Sequence, residues 1–213
     1  MRTPDAGAGW PAELWYVAYG SNLLRARLDA YLLGSGDDGP FGRHVGAGDQ
    51  TPPLADRWLS VGQPLYFAGH SRRWNGAPAF LGVRAEPGVR TLVRAWLLQR
   101  GQVEAVFGQE NGFDRLALPS GPADLWPGQV ALTPGGRYRA VLRLDDIDGV
   151  PALTCTSDRP APGARPSTSY RAVIEAGLAE GAGLGPAEVA AYLDAAERRA
   201  PPPLPPPIPP GPA

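Results

Sequence analysis

The chain has 213 residues, 43% of them apolar, and a formal net charge of -1 from 20 basic and 21 acidic side chains. This suits one globular domain with decorations, and it excludes the basic face or stripe of a nucleic-acid binder. No apolar run approaches the length of a membrane span and Met1 to Ala6 lacks the apolar core of a signal peptide, so the expected location is the cytoplasm, with no membrane partner.

Residues 1–13 are small and polar, with Gly and Pro, and read as a flexible arm. The aromatic-rich run Leu14 to Tyr19, bounded by Gly20, suits a buried strand. Between Leu23 and Leu33, apolar Leu24, Leu28, Tyr31 and Leu32 recur at helical spacing, and Asn22 is a suitable N-cap. Residues 34–56 are rich in Gly, Asp and Pro without a sustained period, a long surface excursion of the kind that often forms a functional rim. Order resumes at Trp58. Leu65 to Ala68, Ala79 to Val83 and Leu92 to Leu98 read as strands, with Asn75-Gly76 a turn between the first two. A helix from Gly101 to about Gly108 buries Val103, Val106 and Phe107, which puts Glu104 on its solvent side and Glu110 just past its end.

After a Gly/Pro-rich stretch, Arg137 to Leu144 and Val150 to Thr156 are strand-like and joined by the hairpin signal Asp148-Gly149. The single cysteine, Cys155, sits in the second of these as a small buried side chain, a structural thiol and not a nucleophile. Pro166 and Ser167 open a helix to about Glu180, and Pro186 opens another ending near Ala196. Residues 198–213 are a proline-rich tail expected to be extended and disordered. Strands with a few short helices and a helical C-terminus favour a mixed barrel or α+β domain over a repeating βαβ fold.

Between a strand end and a helix start, Tyr19-Gly20-Ser21-Asn22 brings short polar groups together with free backbone N–H donors, a setting that can hold a carboxylate or an oxyanion. Four residues alone fit equally the plainer role of a turn glycine and a helix cap. The flanking aromatics Trp15 and Tyr19 are candidates to exclude water.

The run Trp15 to Leu23 resembles the signature of γ-glutamylcyclotransferase-like proteins, in which an apolar strand ends in Tyr-Gly-Ser-Asn and enters a helix. Gln109-Glu110 resembles the segment that carries the family's catalytic glutamate, and Pro166 to Tyr170, with Ile174, Gly177, Pro186 and Tyr192, resembles its C-terminal helices. In many members glycine directly follows the glutamate, whereas here Asn111 intervenes before Gly112. The resemblance covers about residues 14–195. It implies a mixed β-barrel of the α+β class with short helices and a helical C-terminus, in one domain over 14–197. It further implies Glu110 as general acid and base, a substrate pocket of Tyr19, Gly20, Ser21, Asn22, Leu23 and Tyr170, and no metal or other cofactor. The implied reaction releases 5-oxoproline from a γ-glutamyl amide together with an amine or amino acid.

Arg43, Arg57, Arg72, Arg73 and Arg84 fall in or beside loops near the expected pocket, where one could clamp a substrate carboxylate; Arg72-Arg73 before Trp74 also suggests cation stacking. Two other classes compete. A non-catalytic module would keep the anion-binding loop, with the proline tail as a docking segment. A metal-dependent amidohydrolase or deacetylase needs a ligand cluster, and His44 and His70 are the only histidines, without metal spacing. Ser21 lies in no Gly-x-Ser-x-Gly elbow, which argues against a serine hydrolase.

Overall fold

The computed structural model describes residues 9–118, 121, 125–133 and 136–202. Strand β1 (Glu13–Ala18) is the hub. Its run of apolar residues is buried on both faces, and strands pair with it along both edges: antiparallel β5 (Thr91–Gln99), with Tyr16 opposite Trp96, and parallel β8 (Val150–Thr156), with Tyr16 opposite Leu153. With β2 (Ala55–Val61), β6 (Val130–Leu132) and β7 (Ala140–Ile147), these form a mixed sheet in the order β2-β5-β1-β8-β7-β6. Strands β3 (Leu65–Phe67) and β4 (Ala79–Leu81) pair as a separate ribbon, tied to β8 by bonds between the Thr156 hydroxyl and the Leu81 backbone. Sheet and ribbon share one core that includes Leu14, Phe67, Leu81, Leu98 and Phe107.

Among the described residues four α-helices complete an α+β fold: α1 (Arg25–Leu33), α2 (Arg100–Glu110), α3 (Thr168–Ala179) and α4 (Pro186–Arg198). Val103, Val106 and Phe107 of α2 are fully buried, as their spacing predicts. The Ser167 hydroxyl caps α3 by accepting from the Tyr170 N–H at 3.2 Å. The β7–β8 turn holds Asp148 and Gly149 at φ 51° and 77°, the left-handed pair that a tight hairpin requires.

Several boundaries differ from the sequence expectation. Strand β2 occupies the end of the expected excursion: its exposed, charged Asp56 and Arg57 hide an edge strand paired along β5. Strand β6 lies within the Gly/Pro-rich stretch, and β7 starts three residues later than Arg137. Helix α2 runs through Glu110, because Asn111 and Gly112 close it, Gly112 at φ 83°. Trp10, in the segment read as an arm, is 6% exposed and joins the core. The proline-rich tail falls mostly on 203–213, outside the described residues.

The largest difference is at the start of α1. Ser21–Leu23 is a 3-10 turn, α1 begins only at Arg25, and Asn22 does not cap it. A carboxylate from the end of α3 serves instead: Glu180 accepts the Arg25 backbone N–H at 3.1 Å. The Asn22 side chain is thereby free for another task.

Candidate functional site

Tyr16, at the middle of β1, and the turn that follows the strand put Tyr19, Gly20, Ser21 and Asn22 along one wall of a pocket. Its other walls are Arg27, Glu110, Tyr138, Cys155, Tyr170, Ala79 and Trp74. Six of the seven predicted site residues therefore meet. Leu23, the seventh, is fully buried in the core behind the turn, where its carbonyl accepts from Arg94 at 3.1 Å. Trp15 faces away, its indole N–H donating to the Ile147 carbonyl at 3.1 Å, because side chains alternate along a strand and Tyr16 takes the pocket side.

Glu110 is half-buried at the last turn of α2. Two donors converge on its Oε1: Asn22 Nδ2 at 3.0 Å and the Tyr31 hydroxyl at 2.8 Å. Both bonds go to the same oxygen, so the two oxygens of the carboxylate are held differently. Asn22 Nδ2 also donates to the Tyr16 hydroxyl at 2.8 Å, while Asn22 Oδ1 is buried without a hydrogen-bond partner. Burial, reinforced by the nearby Glu110 charge, pushes the Tyr31 hydroxyl well above its usual range and keeps it a donor at neutral pH.

Gly20 has φ -122° and ψ -137°, and its missing side chain matters because a Cβ there would lie 2.9 Å from the Tyr170 hydroxyl. That hydroxyl accepts from the Ala79 N–H at 3.2 Å, and burial moves its pKa to about 12. Tyr19 donates to the Cys155 carbonyl at 2.7 Å. Burial, then the Glu110 charge, pushes the Cys155 thiol up, which suits the structural role read from its strand.

Asn111, the residue that intervenes after the glutamate, is a clamp on the far wall. It donates to the Tyr138 carbonyl at 3.2 Å and accepts from the Tyr138 N–H at 2.8 Å, which fixes Tyr138 against the pocket. Glu104, on the other side of α2, pairs with Arg115 at 2.6 Å and lies outside the pocket.

Three residues beyond those predicted complete the site. Tyr31 looked like one apolar position among four in α1, and its hydroxyl holds Glu110. Arg27, on the same helix, is 1% exposed; its NH2 donates to the Tyr31 hydroxyl at 2.7 Å and its guanidinium lies 4.4 Å from the ring. His44, from the excursion, is buried, with Nε2 2.6 Å from Arg27 NH1 and 3.0 Å from Arg73 NH1. Its Nδ1 faces Gln109 Oε1 at 3.3 Å, and because Gln109 Nε2 donates to the Tyr31 and Gly46 carbonyls, Nδ1 carries the proton. Burial, then Arg27 and Arg73, lower the His44 pKa to about 4. The only advance signal for His44 was its place in an aperiodic excursion.

The arginines singled out in sequence separate. Arg73 and Arg43 line a cleft with Phe41 and Trp74, whereas Arg57 pairs with Asp148 on the other side of the sheet. The cation over Trp74 is Arg27, 5.6 Å from its centroid. The pocket beside Glu110 is narrow, about 40 Å³; the cleft, with which it shares Trp74, measures about 430 Å³. A larger cavity of about 680 Å³ lies on the Val17 side of β1 and contains none of the predicted site residues. Among the described residues no group of three or more His, Cys, Asp or Glu is placed to hold a metal ion, and no helix is long and apolar enough to cross a membrane.

No protein-family model matches the chain. It is 28% identical over 220 residues to histone deacetylase 5 of Arabidopsis thaliana, a match covering 92% of this chain and 33% of that protein. The chain thus spans about a third of the length of that curated relative. Among solved structures, an uncharacterized human protein superposes with a TM-score of 0.52 at 17% identity, covering 86% of this chain and 88% of that one. A γ-glutamyl cyclotransferase gives 0.51 at 17% identity, over 85% and 86% of the two chains. YkqA of Bacillus subtilis gives 0.51 at 17%, over 88% of this chain and 55% of that one. At such identities the likeness is one of fold, and the fold of this chain is the γ-glutamylcyclotransferase-like one.

Proposed function

We propose that the chain is a γ-glutamylcyclotransferase-type enzyme, in which Glu110 moves protons during the ring closure of a γ-glutamyl amide. The observation that carries this reading is the carboxylate of Glu110, oriented through Oε1 by Asn22 and Tyr31, and facing the backbone of Gly20 and Ser21 across one narrow pocket.

The α-amine and the γ-carbonyl of the substrate already belong to one molecule, so catalysis requires folding them together and moving protons. The unpartnered Asn22 Oδ1 is an acceptor for the substrate's α-ammonium. Glu110 Oε2 takes one proton from that ammonium, which frees the lone pair that attacks the γ-carbon. The oxyanion that forms is met by the backbone donors of the 20–22 turn. When the bond from the γ-carbon to the departing nitrogen breaks, Glu110 returns the proton to that nitrogen. The ring nitrogen gives up its second proton to the released amine, so the products are 5-oxoproline and an ammonium, and no water is consumed. The buried Tyr19 and Tyr170 and the partly buried Tyr138 enclose the reacting group, and their rings keep bulk water away.

A second reading, a non-catalytic binding module within a longer polypeptide, is favoured by the match to one third of a much larger protein. One measurement separates the two. Purified chain is incubated with a panel of γ-glutamyl amino acids, peptides and amines, and 5-oxoproline is measured, with Glu110→Gln as the paired control. Loss of general acid-base transfer is expected to lower kcat by about 100-fold or more while the fold is retained. No release from any compound by folded wild-type chain would favour the module.

A further inference from the structure

We propose that Arg27, His44 and Arg73 form an anion subsite that receives a carboxylate carried by the leaving amine of the substrate. This rests on the cyclotransferase reading and deepens it, because it names what must be attached to the γ-glutamyl group.

The starting point is an anomaly of charge pairing. Arg94, Arg139, Arg143 and Arg171 each turn inward and each reaches a carboxylate: Asp56, Asp158, Asp146 and Glu175 respectively, all at 2.8 Å. Arg27 is more deeply buried than any of them, and among the described residues it forms no ion pair. Its Nε is buried without a hydrogen-bond partner. The ring faces of Tyr31, Phe41 and Trp74 offset part of the cost of burying this cation, yet none of them neutralises it.

A second guanidinium is held beside it. Arg73 donates to the carbonyls of Phe41 and Arg43, the latter at 3.3 Å, and shares His44 Nε2 with Arg27. The imidazole can accept from both only while it is neutral, and its other nitrogen is engaged by Gln109. Two like charges are thus brought to one acceptor with no carboxylate among the described residues in direct contact with either, Glu110 being held off Arg27 by the Tyr31 hydroxyl, an arrangement that an incoming anion stabilises. Two arginines suit a carboxylate especially well, since each presents a fork of N–H donors.

Position identifies which part of the substrate arrives there. The Gly20 to Asn22 turn and Glu110 surround the reacting end, while Trp74 is common to that pocket and to the wider cleft of Phe41, Gly42, Arg43 and Arg73. What extends from the γ-carbonyl into the cleft is the leaving amine. An amino acid or short peptide brings its carboxylate to the arginines, and an alkylamine brings nothing.

The test compares γ-glutamyl-alanine with γ-glutamyl-ethylamide, the same skeleton without the carboxylate. Release of 5-oxoproline is measured with the full chain, and binding is measured separately by calorimetry on Glu110→Gln protein. The expected result is a kcat/KM for γ-glutamyl-alanine about 10-fold or more above that for the ethylamide, reduced to under about threefold by Arg73→Gln, mainly through KM. Arg73 is exposed, so that variant does not endanger folding; Arg27→Lys, which keeps the charge and removes the fork, is the second variant. Equal kcat/KM for the two compounds, or an advantage unaltered in both variants, overturns the subsite and leaves the cyclotransferase reading standing. Preferential binding of γ-glutamyl-alanine that disappears with Arg73→Gln, without 5-oxoproline from the wild type, upholds the subsite and overturns the cyclotransferase reading. Neither binding nor release overturns both.

Discussion

At the scale of single residues, the site depends on a carboxylate whose two oxygens are made unequal. Asn22 and Tyr31 both donate to Glu110 Oε1, so removing one of them loosens the orientation of Oε2 without abolishing the charge. Tyr31→Phe is expected to lower kcat about 10- to 100-fold with KM altered less than about threefold, the effect of losing one hydrogen bond to a charged group. It also takes an acceptor from Arg27, so a fall in stability of about 1–2 kcal/mol should accompany it in denaturant titration. Unchanged kcat would mean that Asn22 alone orients the carboxylate or that Glu110 transfers no proton. Tyr19 to Asn22 stood out in the sequence as short polar groups between a strand and a helix, whereas Glu110 was singled out only by the family resemblance of Gln109-Glu110. Tyr31 did not stand out, since helical spacing reports that a phenol is buried and says nothing of where its hydroxyl ends. Asn111 looked like a departure from pattern because it stands where many family members have glycine, and its bonds to the Tyr138 backbone, distant in sequence, were not legible.

At the scale of elements, the turn that carries Ser21 and Asn22 is positioned by α3 more than by its own helix. Glu180 supplies the missing cap of α1 and also pairs with Arg94, whose NH1 reaches the Leu23 carbonyl. Gly177 lets α3 approach closely: a Cβ there would lie 2.6 Å from Leu24 N and 2.8 Å from the Leu23 carbonyl carbon. Because those contacts are backbone, the strain cannot be relieved by a rotamer change. Gly177→Ala is therefore expected to cost about 1–3 kcal/mol of stability and to raise KM by displacing the turn. A variant with wild-type stability and KM would show that α3 is free to slide and that the turn holds its own shape. The sequence marked the helix and its opening Pro166-Ser167 well, since caps and periodicity are local. It missed β2 and β6, whose existence as strands depends on edges provided by β5 and β7. Asn22 was assigned as a cap for a related reason: a local rule was overridden by a carboxylate arriving from another element.

At the scale of the molecule, the pocket is assembled from the hub strand, two helices of the first half, the ribbon and α3, a set of pieces that sequence can name but not arrange. The parallel pairing of β1 with β8 places Cys155 near Tyr19, and no local pattern announces it. The excursion joins this assembly through buried polar contacts: Gln102 Nε2 donates to the Asp49 and Thr51 carbonyls, and His44 sits between Arg27, Arg73 and Gln109. That junction has a consequence for stability against pH. His44 has a pKa of about 4 in the fold against 6.5 when free, so between those values the unfolded chain binds a proton that the folded chain refuses. Stability should consequently fall as pH drops from about 6.5 to about 4, by about 2 kcal/mol after allowance for solvent screening. The carboxylates of Asp49 and Asp158, held below their usual 3.8 by Thr51 and Arg139 respectively, contribute losses only at lower pH, which keeps the two windows apart. Denaturant titrations at half-unit intervals from pH 7 to pH 4 on the wild type and on His44→Gln read this directly. The glutamine variant, which has no titrating ring, should show the flatter profile. A wild-type stability that stays level across the interval would mean that His44 protonates freely and that the two guanidiniums do not press on it.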